Sequence, residues 1–183
     1  MGWGYWEITL ALLIPATLYA SWVDYAERRV PNWLNALIAA LGISMQTWWF
    51  GAAGLGWAML GLTVGFATLI VPWAMHGMGA GDVKLMAAIG AWLGPWLTLW
   101  SFAVGAVFGG VAAIVMIVST GRAVHAMTNM QTIMTKMRRA DTAFGEFGGA
   151  KTFGSTSQLL PYGVPLTAGT ICVLVTCYLG GWL

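Results

Sequence analysis

Two long apolar runs are joined by the sequence Gly77-Met78-Gly79-Ala80-Gly81-Asp82-Val83-Lys84-Leu85, a glycine-rich turn that carries an acid and a base. A charge at a bilayer centre is unfavourable, so an ionisable residue beside membrane-spanning segments indicates a function. A helix is predicted to begin at Asp82, and Asp is also a common helix N-cap. A second acid, Asp24, ends another apolar run and favours a functional interpretation over capping alone.

The composition indicates an integral membrane protein. Of the 183 residues, 59% are hydrophobic and only 8% are charged, whereas a soluble domain carries about 25% charged residues. The length suits one helical bundle, and we predict a single membrane-embedded domain over residues 1–183. The net charge of +2 is too small to indicate a nucleic-acid partner. Cys172 and Cys177 form no CxxC pair, and we expect neither a metal nor a cofactor.

Apolar runs of about 20 residues, long enough to cross a bilayer, define the predicted fold. The charge-free run 85–118 is too long for one crossing, and Gly94-Pro95 divides it because proline ends or kinks a helix. The sequence therefore predicts an all-α bundle of six transmembrane helices, approximately at 6–23, 33–50, 55–74, 81–94, 96–120 and 160–183.

Glycine pairs four residues apart occur in two of these runs, as Gly61-xxx-Gly65 and Gly105-xxx-Gly109. Such pairs allow helix backbones to approach closely in membranes. We interpret both as helix-packing sites.

The basic residues predict an orientation. Arg28 and Arg29 follow the first span, Lys84 follows the third, and the other five of the eight follow the fifth. Since cytoplasmic loops carry the excess of Lys and Arg, these connections are predicted to be cytoplasmic and both termini to lie outside. Asp24 and Asp82 then emerge on the same cytoplasmic side.

The connection 121–158 is the one long polar segment. Its methionines at 127, 130, 134 and 137 follow one helical face. This pattern suits an amphipathic helix on the inner leaflet, or a helix packed against the bundle. The glycine- and serine-rich part that follows is predicted to be a flexible loop.

Two acids at one membrane face favour aspartic-protease chemistry, in which one carboxyl keeps a proton while the other activates water. Asp24 has an alternative role as the ion-pair partner of Arg28, four residues on. His76 and His125 have no metal-ligand spacing. Two further hypotheses stay open: a small proton-coupled transporter, whose acids would lie near the midplane, and a catalytically silent assembly factor of a secretion machine.

Three segments resemble one family, the type IV prepilin peptidases. In the family's first segment, an Asp is followed by a basic residue and then by Ile/Val-Pro-Asn, and its second is GxGDxKL. A Pro-Tyr-Gly stretch opens its last span. The matching residues are Asp24, Arg29, Pro31 and Asn32; Gly79, Gly81, Asp82 and Lys84; and Pro161, Tyr162 and Gly163.

The resemblance implies six helices and an aspartic endopeptidase with Asp24 and Asp82 as the catalytic pair. Its substrates would be prepilins, whose leader peptides it would cleave at the cytoplasmic face of the bacterial inner membrane. The size is similar to that of the short form, which serves tight-adherence (Flp) pili, although the 121–158 connection is longer than that form leads us to expect. Longer members also methylate the pilin and carry a zinc segment with two CxxC pairs. That segment is missing here, which leaves methylation open.

Overall fold

The computed structural model describes residues 4–27, 30–74, 78–120 and 162–181. Within these ranges the chain is helical and contains no strand. The helices are α1 (Tyr5–Glu27), α2 (Asn32–Ala74), α3 (Ala80–Thr120) and α4 (Gly163–Leu179). The first three are long and apolar enough to cross a membrane. A helix pairs its backbone polar groups internally, as lipid requires, and the predicted all-α class is confirmed for the described residues.

The described residues form four helices, so the prediction of six separate transmembrane helices is not confirmed. Both α2 and α3 contain one non-helical residue, Gly51 with φ 61° and Gly94 with φ 72°. A positive φ of this size is readily adopted by glycine. The four-residue interval predicted between the second and third spans is replaced by Gly51 alone. The break predicted at Gly94-Pro95 is found, because two helical segments of α3 meet there at the non-helical Gly94.

The chain reverses direction at Gly51. A Cβ atom placed on Gly54 would collide with the carbonyl oxygen of Gln46. In an unbroken helix, two residues eight positions apart are separated by about 12 Å along the axis. The contact therefore means that the two halves of α2 lie side by side.

The glycines of the two predicted packing pairs lie at helix contacts, which confirms their interpretation. Gly61 and Gly65 face α3, and a Cβ on Gly61 would collide with the carbonyl oxygen of Gly90. Gly105 and Gly109 face the first turn of α4. These contacts hold the beginnings of α3 and α4 in fixed positions, and the acids lie close to both.

A buried polar network lies beside the turn at Gly94, and we call it the tryptophan end (Tyr5, Ile38, Gln46 and Trp92). The Trp92 side chain is 1% exposed, and its indole N–H donates to the carbonyl oxygen of Ile38 at 2.8 Å. Its own carbonyl accepts from the Tyr5 hydroxyl at 2.6 Å and from Gln46 Nε2 at 2.9 Å. Carbonyls that precede a helix break lose their regular partners, and neutral side chains replace them here.

Candidate active site

Asp24 lies in the last turn of α1 and is only 6% exposed. Its Oδ2 accepts a hydrogen bond from the backbone N–H of Gly163 at 3.1 Å. Gly163 is the first residue of α4, and the first N–H groups of a helix have no partner within it. The positive end of the α4 dipole therefore faces the Asp24 carboxylate.

Gly163 leaves no room for a side chain at this contact. A Cβ atom there would lie 2.8 Å from Asp24 Oδ2 and 3.2 Å from the carboxyl carbon. Any larger residue would have to displace either the carboxylate or the start of α4. Glycine at this position allows the direct hydrogen bond.

Asp82 lies in the first turn of α3 and is also 6% exposed. The helix begins two residues earlier than predicted, at Ala80, and the Asp82 N–H donates to the Gly79 carbonyl at 3.2 Å. Asp82 therefore belongs to the helix and is not its cap. Its Oδ1 has no hydrogen-bond partner among the described residues.

The two carboxylates lie close enough for each to feel the charge of the other. Like charges disfavour simultaneous ionisation when they share a poorly hydrated site. Tyr162, just before α4, is also within range of Asp82. Burial raises the pKa of the Tyr162 hydroxyl, and the negative charge of Asp82 raises it further.

The beginning of α2 supports the turn that carries Asp82. Lys84 Nζ donates to Asn32 Oδ1 at 2.8 Å, and Asn35 Nδ2 donates to the Gly81 carbonyl at 3.3 Å. A Cβ on Gly81 would lie 3.3 Å from the backbone nitrogen of Val30. The segment before α2 thus packs directly against the glycine turn of α3.

Two hydroxyl residues near Asp24 were not predicted from the sequence. Ser21 Oγ donates to the Gly163 carbonyl at 3.0 Å and contacts Thr167 Oγ1. Thr167 Oγ1 in turn donates to the Thr17 carbonyl at 3.2 Å. One signal was available, because residues 17, 21 and 24 are spaced by four and three and share a helix face.

The structure brings most of the predicted site residues together: Asp24 and Gly163 where α1 meets α4, and Asn32, Gly79, Gly81, Asp82 and Lys84 where the start of α2 meets the start of α3. Tyr162 lies within range of the Asp82 charge, and the Pro31 carbonyl accepts from Leu34 and Asn35 at the start of α2. Arg29 and Pro161 lie outside the described residues, as do Arg28, His76, His125 and the 121–158 connection. Within the described ranges, no group of three His, Cys, Asp or Glu residues is placed to hold a metal ion.

The arrangement suits acid–base chemistry on a water molecule. Two buried carboxylates come from different helices and interact electrostatically. Asp24 is held by a backbone donor, while Asp82 keeps an oxygen that no described residue binds. One carboxyl can then accept a proton from water while the other donates one.

Comparison with known proteins gives a consistent result. The model of the type IV leader peptidase family matches residues 11–114, more than half of the chain and both acids. A prepilin leader peptidase/N-methyltransferase of Aeromonas salmonicida (strain A449) is 36% identical over 116 residues, covering 57% of this chain and 40% of that protein. The protein of the same name from Neisseria gonorrhoeae is 31% identical over 128 residues, covering 66% and 44%.

A third relative of that name, from Xanthomonas campestris pv. campestris, is 34% identical over 125 residues, covering 60% of this chain and 41% of that protein. The chain thus spans about two fifths of the length of these curated relatives. No solved structure matches.

Proposed function

This chain belongs to the type IV leader peptidase family, and we propose that it is an aspartic endopeptidase that removes the leader peptides of type IV prepilins. The observation that carries the proposal is the pair Asp24 and Asp82, two buried carboxylates on different helices within reach of each other's charge. The matched relatives are named for two activities, peptidase and N-methyltransferase. Only the first is proposed for this chain, because it is the one that the acid pair explains.

The proposed reaction is direct attack of water on the carbonyl carbon of the leader's last residue. The ionised carboxyl of the pair removes a proton from water as the oxygen adds to the carbonyl. The protonated carboxyl stabilises the oxygen of the tetrahedral intermediate. When the intermediate collapses, the C–N bond breaks and the amide nitrogen takes up the proton that the first carboxyl removed from water, which returns the pair to one ionised and one protonated carboxyl. No covalent link between enzyme and substrate forms at any step.

Three features of the site support the proposed acid–base steps. The Gly163 N–H fixes one oxygen of Asp24, which restricts how that carboxylate can turn. Asp82 Oδ1 has no partner among the described residues and is available to the water. Tyr162 keeps its hydroxyl proton, since burial raises its pKa, and can donate a hydrogen bond beside Asp82.

The proposed topology is six crossings, with both termini outside and the acids at the cytoplasmic face. The reversals at Gly51 and Gly94 would be the outer turns within α2 and α3. Asp24 lies near the end of α1 and Asp82 near the beginning of α3, so both acids lie at the opposite face from these turns. Lys84 places a positive charge at that face, as expected for the cytoplasmic side.

We propose Flp-type prepilins as the substrate class, on the basis of the sequence resemblance to the short form. The test is co-expression of this chain with an Flp-type prepilin and with a longer type IVa prepilin, followed by mass determination of both pilin N-termini. The expected result is removal of the leader from the Flp-type substrate. Cleavage of the type IVa prepilin alone would overturn the substrate class. Intact leaders on both, with the enzyme present in the membrane, would overturn the function.

A further inference from the structure

A chain of hydrogen bonds joins α1 to α4 next to Asp24. Ser21 and Thr167 are 7% and 2% exposed, and their hydroxyls contact each other across the seam. Ser21 also reaches the Gly163 carbonyl, and Thr167 reaches the Thr17 carbonyl. Each hydroxyl has only one hydrogen to donate, so two of these three contacts are hydrogen bonds at any one time. When Ser21 donates to the Gly163 carbonyl, Thr167 can donate to Ser21 Oγ and orient it, so the two hydroxyls act as one connected unit.

This unit holds the same peptide residue that holds Asp24. The N–H of Gly163 donates to Asp24 Oδ2, while the carbonyl of Gly163 accepts from Ser21 Oγ. Asp24 and Ser21 are three residues apart and therefore lie on one face of α1. Since Gly163 has no side chain of its own, these two contacts fix it against that face.

Other buried hydroxyls in these helices bond differently. Thr170 donates to Leu166 within α4 at 2.9 Å, and Thr9 donates to Tyr5 within α1 at 2.9 Å. Both threonines are fully buried. They occupy the same two helices as Ser21 and Thr167 without bridging them, and so provide matched controls.

We propose that Ser21 and Thr167 are positioning residues for leader cleavage, because together they hold the first residue of α4 against the Asp24 carboxylate. The proposal rests on the peptidase function proposed above. Neither residue touches the water or the scissile bond; both act through Gly163. Displacing a catalytic group by about 1 Å can reduce a rate by about 100-fold, so a loosened Gly163 should lower kcat while leaving substrate binding intact.

The test compares Thr167→Val with the control Thr170→Val in purified, membrane-reconstituted protein. Thr167→Val is expected to lower kcat by about 10- to 100-fold with an unchanged KM, and Thr170→Val to leave both near the wild-type values. Ser21→Ala should behave like Thr167→Val, with Thr9→Val as its control, and the double variant should be no worse than either single. Thr167→Ser keeps the hydroxyl and should restore most of the rate.

A second measurement reports on geometry without using activity. Hydrogen exchange at the Gly163 amide should be at least about tenfold faster in Thr167→Val than in Thr170→Val, because the Asp24 bond opens more often. Equal exchange in both variants would overturn the proposal, even if cleavage were slow. Faster exchange with an unchanged kcat would also overturn it, by showing that the contact does not govern the rate. If the wild-type protein cleaves no prepilin, the proposed function is wrong. The hydrogen-exchange rate of the Gly163 amide still decides whether the two hydroxyls hold Gly163.

Discussion

The two ends of the helical bundle bury polar groups in opposite ways. At the tryptophan end, the Trp92 indole and carbonyl are both paired, and every partner is neutral. At the opposite end, which we call the acid end (Asp24, Asn35, Asp82 and Gly163), two buried carboxylates lie within range of each other's charge. Asp82 Oδ1 and Asn35 Oδ1 have no hydrogen-bond partner among the described residues.

This difference indicates that the tryptophan end contributes to stability and that the acid end is the better candidate for chemistry. A buried polar atom without a partner costs about 1–3 kcal/mol, whereas a paired one contributes a small net stabilisation. The tryptophan end avoids that cost, although the helix break at Gly94 would otherwise create it. At the acid end this free-energy cost remains, at positions where a water molecule and a peptide substrate would bind under the proposed function. Such unsatisfied groups are typical of functional sites.

The largest expected effect comes from the acids themselves. Asp24→Asn and Asp82→Asn should each reduce leader cleavage by about 1,000-fold or more, since general acid–base groups contribute up to about 10⁴-fold. Stability should be unchanged or higher, because Asn is nearly isosteric with Asp and carries no charge to bury. Mass analysis of the pilin N-terminus and thermal unfolding in mild detergent measure the two quantities.

The acids should also behave as one unit. The double Asn variant should be no slower than either single, because residues that act together are non-additive. The wild-type rate should follow a bell-shaped pH profile, and its two apparent pKa values should belong to the pair and not to either acid alone. Near-normal cleavage by either single variant would show that this residue is only a cap or an ion-pair partner.

A smaller loss is expected when Gly163 is enlarged. Gly163→Ala introduces a Cβ 2.8 Å from Asp24 Oδ2, so the carboxylate must move, and cleavage should fall by about 100-fold. Gly110→Ala in α3 meets nothing within 4 Å and serves as the control, with a wild-type rate. If both variants cleave equally well, the close approach of Gly163 to Asp24 does not matter for activity.

The tryptophan end should show the reverse behaviour, a loss of stability without a loss of activity. Tyr5→Phe combined with Gln46→Met removes both donors to the Trp92 carbonyl, and the free energy of unfolding should fall by about 1–3 kcal/mol. Thr63→Val, whose exposed hydroxyl bonds within its own helix, should change it little. Denaturant titration in detergent measures the change. A clear fall in the cleavage rate of the folded double variant would mean that the tryptophan end also affects catalysis at the acid end.

The smallest effect is expected at Lys84. Its hydrogen bond to the neutral Asn32 side chain is exposed, and even exposed ion pairs contribute only about 0–1 kcal/mol. Lys84→Met should therefore lower the cleavage rate by less than about tenfold, since tenfold corresponds to about 1.4 kcal/mol. A larger loss, seen in KM and not in stability, would assign Lys84 to substrate binding.

Local signals predicted much of the acid end. A glycine-rich turn with an Asp between apolar runs is visible in the sequence, and so is an acid at the end of an apolar run, which is why Asp82 and Asp24 could be proposed. The helix N-terminus beside Asp24 could not be predicted, because it belongs to α4, some 140 positions further along the chain. For the hydroxyls, the spacing of residues 17, 21 and 24 was a weak signal at most, because most such groups in an apolar helix bond to their own backbone, and nothing in the sequence paired Ser21 with Thr167.

The tryptophan end was missed for a related reason. Nothing near Trp92 in the sequence shows that Tyr5 and Gln46 will meet its carbonyl, since both come from other helices. The length of the connection at Gly51 was mispredicted for a different reason. Hydropathy marks apolar stretches, but it does not distinguish a loop from one glycine with a positive φ. At Gly51, where four residues were allowed for the connection, one is enough.

The one-residue turn at Gly51 has a consequence for the insertion of the protein into the membrane. Between Asn32 and Ala74 the chain carries no charged residue, and its two halves pack against each other beside a turn of one glycine. A pair of helices joined in this way can enter the bilayer as a preformed hairpin. Its leading edge exposes little more than one peptide unit, so no charged segment has to be exported through the hydrocarbon core. Charged residues inserted beside Gly51 are therefore expected to reduce insertion of the hairpin into the membrane before they have any effect on catalysis.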